Sequence, residues 1–347
     1  MGLPAKYGGF ETFVHFLVLH LGTYFDFNVH CSGPDYQDHP KSFLNAKLTY
    51  FPVHANGPQS VLFDTLGILH ACLFSDVLLV LGASGGLMLP IAHFFGKRVV
   101  HNPGGIEWQR SKWGPKTQRF LKILERYALK GTDVLVCDNQ GILDYFRKTY
   151  GREGNLIEYG GDHISKPELT DDFRNKYPYV ASPYAFSVAR IQPDNNIEMI
   201  LEAYRNTPEH QLIFVGNWAG SAFGKEIKQR FASYNNIHLL EAIYDQDILN
   251  RFRAYCSIYL HGHSAGGTNP ALVEAMHLGL PIAAFDVIFN HATSENKALY
   301  FKDAEELATL IQTTPMDTWT AQGAAMKEIA NRRYTWSLIA AKYAELF

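Results

Sequence analysis

Ala265-Gly266-Gly267-Thr268-Asn269-Pro270-Ala271-Leu272-Val273-Glu274-Ala275-Met276, continued by His277-Leu278-Gly279-Leu280-Pro281-Ile282-Ala283-Ala284, reads as loop, helix, glycine turn and buried strand. Gly266 and Gly267 let the backbone approach a ligand closely, because neither carries a Cβ. Thr268 suits a helix N-cap, and the free N–H groups of a helix start point back at whatever sits on the loop. Glu274 falls about a turn into the helix, where a carboxylate can accept hydrogen bonds from a pair of sugar hydroxyls. An ordinary helix-to-strand connection in an α/β domain gives the same pattern, with Glu274 in solvent.

Outward from this stretch, short apolar runs alternate with amphipathic helices, which predicts parallel α/β architecture. Strands are expected at 25–30, 76–81, 98–101, 133–137 and 156–159, and again at 184–188, 211–215, 237–239, 257–260 and 281–284. Gly160-Gly161-Asp162, followed by a polar run to Pro178, reads as the inter-domain linker. The expected division is residues 1–162, 180–333, and a last helix over 334–347.

The chain has 347 residues, 47% of them apolar, enough for a core in each of two domains. Its net charge of −3 argues against nucleic acid as the main partner. Cys31, Cys72, Cys137 and Cys256 are scattered, show no Cys-x-x-Cys spacing, and read as buried thiols of a reducing cytoplasm. The apolar runs are strand-length, too short to span a bilayer. A basic helix at 116–130 interleaves Lys116, Arg119, Lys122, Arg126 and Lys130 with Phe120, Leu121 and Leu124. It reads either as the solvated face of a core helix or as a peripheral contact with anionic membrane.

Further polar groups sit at expected strand ends and helix starts. Gly8-Gly9 opens a helix with Phe10, Phe13, Val14 and Leu17 on one face, and a glycine pair there can meet a diphosphate or a sugar, with Lys6 and Glu11 beside it. Arg190 follows a strand, where an arginine can hold a phosphate pair bidentately. Lys225, after Gly216-Asn217-Trp218, offers a second cation, or is a solvated lysine at a helix start. His101 and Glu107 bracket a glycine loop after another strand, and His261-Gly262-His263 ends the strand beside the Gly266 loop. Neither a metal-ligand set nor a Gly-x-Gly-x-x-Gly after a first strand is present, so no metal is expected and a Rossmann dehydrogenase is disfavoured.

Glu274-Ala275-Met276, Gly279 and Pro281 resemble the donor signature of family 4 retaining glycosyltransferases of GT-B fold. Gly266 stands where that signature has its first glutamate. The strings Pro4-Ala5-Lys6-Tyr7-Gly8-Gly9-Phe10-Glu11-Thr12-Phe13-Val14 and Glu107-Trp108-Gln109-Arg110-Ser111-Lys112-Trp113 are similar to a subgroup of bacterial polysaccharide rhamnosyltransferases. The resemblance implies two Rossmann-like domains facing each other across a cleft, an acceptor side first and a nucleotide-sugar donor domain second, with the last helix crossing back. It implies transfer of a sugar, rhamnose among the candidates, from a nucleotide-diphosphate sugar to a glycan or polyprenyl-diphosphate-linked acceptor, without a further cofactor. Arg190, Lys225, His101 and Glu107 would then be catalytic. Gly266, Gly267, Thr268, Asn269, Glu274, His263 and Asn217 would bind donor, Glu274 through the ribose. The family's lysine after the arginine is replaced by Asn195 or Asn196, and its acceptor-loop acid or histidine by Gly104. A non-catalytic nucleotide-sugar-binding protein and a GT-B nucleotide-sugar epimerase are the alternatives. The family's first strand, which precedes the Gly8 loop, has no counterpart here. The expectation is therefore a weakened first domain, with Leu3 and Pro4 untethered and strand edges unpaired. The enzyme is expected in the cytoplasm, peripheral on the inner face of the membrane.

Overall fold

The structure is a computed structural model that describes residues 2–6, 8–110 and 113–347. The chain opens with α1 (Gly9–Leu21), β1 (Phe27–Ser32), β2 (Ser42–Phe43), β3 (Ala46–Phe51), α2 (Ser60–Phe74), β4 (Val77–Leu81) and α3 (Leu89–Phe94). It continues with β5 (Arg98–Asn102), α4 (Pro115–Ala128), β6 (Val134–Cys137), α5 (Gln140–Tyr150), β7 (Asn155–Leu156) and α6 (Asp171–Lys176). Then come β8 (Tyr184–Val188), α7 (Ile197–Arg205), β9 (Gln211–Val215), α8 (Ala222–Phe231), β10 (Ile237–Leu240), α9 (Gln246–Ala254), β11 (Ile258–His261) and α10 (Pro270–His277). The last elements are β12 (Ile282–Phe285), α11 (Ile288–Ser294), β13 (Leu299–Phe301), α12 (Ala304–Thr313), α13 (Met316–Arg333) and α14 (Trp336–Ala344). Two compact units result: residues 1–109, 113–160 and 335–347, and residues 110–112 with 161–334.

In the second unit all six strands are parallel, in the order β10-β9-β8-β11-β12-β13. Successive side chains of a strand point to opposite faces, and here both faces are covered. Tyr184, Phe186, Ile213, Val215, Tyr259 and Ile282 feed one core, and Ala185, Leu212, Phe214, Leu260 and Ala283 feed the other. That double burial is why these strands read as continuous apolar runs in the sequence. From β8 the chain winds one way to β9 and β10, and from β11 the other way to β12 and β13. The carboxyl ends of β8 and β11 therefore flank the switch point of a doubly wound sheet, the place where such sheets leave a crevice for a ligand.

The first unit holds two sheets, β1-β3-β2 and a parallel β4-β5-β6-β7. Residues 2–6 form no strand, and β1 and β4 each keep one edge without a strand partner among the described residues. The loss of tether expected for Leu3 and Pro4 does not occur. Leu3 is fully buried with Val18, Cys31 and Tyr36, Tyr36 Oη donates to the Pro4 carbonyl at 3.0 Å, and Glu11 Oε2 accepts the Lys6 N–H at 3.2 Å. Side-chain hydrogen bonds and burial hold the segment where ladder bonds do not. Trp336 of α14 stacks on Phe16 of α1, ring centroids 4.6 Å apart, within the core of this unit. The four cysteines are free and buried.

Candidate functional site

The loop from His263 to Asn269 is braced at several points. Asn196 Nδ2 donates to the Gly262 carbonyl at 2.9 Å, and Ser264 N and Oγ both donate to the Asp194 carbonyl, at 3.0 and 2.8 Å. Asn290 Nδ2 bridges the His263 and Phe285 carbonyls at 3.1 and 2.8 Å. The loops leaving β8, β11 and β12 are thus stitched together at the switch point. Gly266 lies at φ +126°, a conformation that L side chains rarely adopt, and no atom lies within 4 Å of where a Cβ would stand. Its backbone is open to an incoming ligand.

Thr268 does not cap the following helix. Asn269 does, its Oδ1 accepting from Ala271 N at 3.0 Å, because Pro270 has no N–H and a φ preset for the first helical position. Asn269→Ala should lower thermal stability by about 1 kcal/mol, measured by scanning calorimetry, with Asn269→Ser retaining most of it.

Glu274 on α10 is neither solvated nor unengaged. Its Oε2 lies 2.8 Å from Arg253 Nη2 and its Oε1 3.4 Å from His163 Nε2. Burial alone would raise its pKa, but the Arg253 guanidinium and His163 outweigh burial and hold it below the usual carboxylate range. A carboxylate offers about four lone-pair sites, so Glu274 can still accept from sugar hydroxyls while paired. Neither Arg253 nor His163 was anticipated from the sequence. A signal existed for the first: Leu249 and Arg253 are four apart on α9, on the face that Leu249 buries.

Arg190 is exposed just beyond β8. Asn195 Nδ2 donates to the Arg190 carbonyl at 2.6 Å, and Asn196 adopts a left-handed φ of 50° that turns the chain into α7. The two asparagines therefore shape the loop rather than replace a cation. Asp194, also missed, is buried and receives Arg110 Nε at 2.9 Å and Nη2 at 2.8 Å. Lys225 and Asn217 are exposed after β9, one strand along from the β8–β11 crevice.

Tyr259, His261 and His263 stack along β11, with the two imidazole centroids 4.5 Å apart. Among the described residues, buried His261 has no hydrogen-bond partner on either ring nitrogen, and the shielded His263 Nδ1 has none either. Burial, helped by His263, pushes the His261 pKa well down, and burial followed by the Arg190 charge takes His263 to about 4.

The candidates of the first unit form a separate group. Gly8 caps α1 at φ +108°, and no atom of the described residues beyond its chain neighbours lies within 4 Å of where a Cβ would stand. Gly9 is the first residue of that helix. Lys6 Nζ donates to the Asp35 carbonyl at 3.2 Å and lies over the Tyr36 ring, while Glu11 is buried and turned back on the loop rather than outward. His101 is not a surface acid or base. It is buried, with Nε2 3.0 Å from the Gly82 carbonyl and Nδ1 3.3 Å from Thr132 Oγ1, and burial lowers its pKa to about 4. Glu107 Oε1 accepts the Trp113 indole N–H at 3.0 Å and lines a small cavity with Pro103, Trp108 and Leu121. Lys112 of the Glu107–Trp113 string, and Tyr7 of the other, lie outside the described residues.

These neutral histidines set an acid limit. His30, His101 and His263 are each pushed to about 4, burial being the main cause, and His261 lower still. In the unfolded chain they take up protons near pH ~6.5. Between these values the unfolded state binds more protons, so stability should fall as pH drops below ~6.5, by about 1.4 kcal/mol per pH unit for each such histidine. Urea midpoints measured from about pH 7 down to about pH 5 should decline steadily, and a flat profile would contradict neutral burial.

Comparison with known proteins bears on both units. Residues 170–313 match the model described as Glycosyl transferases group 1, and residues 1–162 match Domain of unknown function (DUF1972). No curated protein matches the chain. Among solved structures, sucrose-phosphate synthase from Thermosynechococcus elongatus superposes with a TM-score of 0.80 at 17% identity, over 98% of this chain and 92% of that one. The trehalose-6-phosphate synthase OtsA gives 0.74 at 12% identity, over 99% and 95%. HepE from Anabaena in complex with UDP-glucose gives 0.69 at 18% identity, over 87% and 85%. The fold is GT-B, with two Rossmann-like domains, as in these solved structures.

Proposed function

We propose that this protein is a retaining glycosyltransferase of family 4 type. It moves a sugar from a nucleotide-diphosphate donor to a glycan or lipid-linked acceptor in cell-surface polysaccharide synthesis. The observation that carries the reading lies within the glycosyl transferases group 1 domain. There a braced loop with an open, positive-φ glycine stands at the β8–β11 switch point, directly before the helix that presents the ionised Glu274. Glu274 accepts the ribose hydroxyls. The N–H groups opening α10 and the Arg190 guanidinium take the diphosphate, whose charge grows as the sugar bond breaks. Lys225 adds charge from the neighbouring strand end.

HepE holds UDP-glucose, so a uridine diphosphate sugar is the first donor to try, with a nucleotide-activated rhamnose beside it. In the first unit both nitrogens of His101 are engaged and Glu107 is tied to Trp113. That favours a route in which the leaving diphosphate, held by Arg190, takes the acceptor proton and no strong protein base is needed. The test is product formation from labelled donors with glycan and polyprenyl-diphosphate acceptors, read by mass and by anomeric NMR. A product that keeps the donor's anomeric configuration is expected. An inverted product would overturn the retaining mechanism. Donor binding without turnover would assign the chain to nucleotide-sugar binding, and acceptor-independent release of nucleotide to epimerase chemistry.

A further inference from the structure

One face of the β4–β7 sheet is covered by α2, α3 and α4, which share a core of Ile68, Ala71, Leu78, Leu89, Val99 and Ala128. α3 contacts both α2 and the turn that ends α4, so the three helices form one layer. The outer side of that layer is apolar to an unusual degree. Leu73 and Phe74 are each 68% exposed, Phe94 86% and Ile123 59%. Among the described residues nineteen large hydrophobics are exposed; twelve of them fall between Val61 and Tyr127, and only three lie in the second unit. A soluble surface scatters such residues singly, and their concentration on one layer marks an interaction face.

The exposed charge on this face is mainly basic. Lys116, Phe120, Ile123 and Tyr127 follow one another at helical spacing on the exposed side of α4, Lys130 continues the row in the turn that follows, Arg119 and Arg126 lie beside them, and Leu124 and Ala128 are buried opposite. Residues 60–130, with Arg110 and Lys112 of the second unit left out, contain seven Lys and Arg against four Asp and Glu, in a chain whose net charge is −3. Three of the four acids are partly buried and engaged. Asp64 accepts from Ser84, Glu107 from Trp113, and Glu125 from Tyr145 and Tyr150, which leaves Asp76 as the exposed one.

We infer that the α2–α3–α4 face seats the first unit on an anionic lipid bilayer. Aromatic and aliphatic side chains enter the headgroup boundary while Lys and Arg meet anionic headgroups, a pairing that an interfacial surface supplies and water does not. A second copy of the chain fits the face less well, because it would set basic residues against basic residues. The inference goes beyond the transfer reading and stands independently of it, since its test uses no donor.

The test is flotation of the full chain with phosphatidylcholine vesicles and with vesicles enriched in phosphatidylglycerol. Binding should appear with the anionic vesicles and fall as salt is raised. The triple change Lys116→Glu, Arg119→Glu and Arg126→Glu should weaken it at least about tenfold, and Phe120→Ser with Ile123→Ser should weaken it too. Ile288→Ser with Met316→Ser, in the second unit, should leave it unchanged. All these positions are exposed, so thermal midpoints should stay near wild type. Absence of binding, or binding indifferent to the charge reversals, overturns the inference. So does self-association in lipid-free sedimentation velocity that Phe120→Ser with Ile123→Ser abolishes, which would assign the face to a second copy.

Discussion

Arg253→Met should be the most destabilising single change at the site, costing about 3–5 kcal/mol, because it leaves a buried carboxylate without its cation. Arg253 is 2% exposed, its Nη2 meets Glu274 at 2.8 Å, and its Nη1 donates to Asn250 Oδ1 at 3.1 Å. The pair also fixes a pH dependence. Glu274 has a lowered pKa in the folded protein, so its contribution is fully present above the unfolded value of ~4.3 and is lost as pH falls through the lower folded value. In Arg253→Met the effect of burial dominates and raises the Glu274 pKa, so acid should stabilise the variant relative to wild type. Adding Glu274→Leu to Arg253→Met should recover much of the loss, since a buried pair replaced whole costs far less than a pair broken. Urea denaturation of the two single variants and the double variant checks this. Equal stability of Arg253→Met and wild type would mean that the pair carries little.

The second large effect is on turnover. Arg190→Ala should lower kcat by about 10²- to 10³-fold, the range found when one stabiliser of developing negative charge is removed, with thermal stability close to wild type. Arg190 is exposed, its carbonyl is fixed by Asn195, and its charge is felt by His263 on the facing loop. Turnover within about threefold of wild type would place the charge elsewhere, with Lys225 the first suspect.

Much of the architecture was legible because burial on both faces writes itself as apolar runs. β8 and β9 have the bounds expected from the sequence. The strand order of the second unit follows from winding rules once the elements are in place. What was missed has local causes. β13 is three residues long and β2 two, too short for any periodicity, and β3 hides behind Lys47 and Thr49 on its polar face. α6 and α11 are helices of six and seven residues, under two turns each and rich in polar residues.

The site was legible where it depends on backbone. Gly8, the cap of α1, and Gly266, in the loop ahead of α10, both take positive φ, as glycine pairs ahead of helices suggest. It was obscure where it depends on partners distant in sequence. Glu274 is held by Arg253 and His163, and Asp194 by Arg110. His101 has both nitrogens occupied by Gly82 and Thr132, and apart from the helical spacing that buries Arg253, nothing in the neighbouring sequence announces these pairings.

In the proposed transferase the β8–β11 crevice of the second unit binds a nucleotide-diphosphate sugar through Glu274 and the start of α10. Isothermal titration of UDP and UDP-glucose into wild type and Glu274→Gln tests it most directly. Wild type should bind saturably and the variant about tenfold or more weakly, since hydrogen bonds to a charged group are worth about 1.5–3 kcal/mol. Equal affinity of the two proteins for the same nucleotide would contradict it.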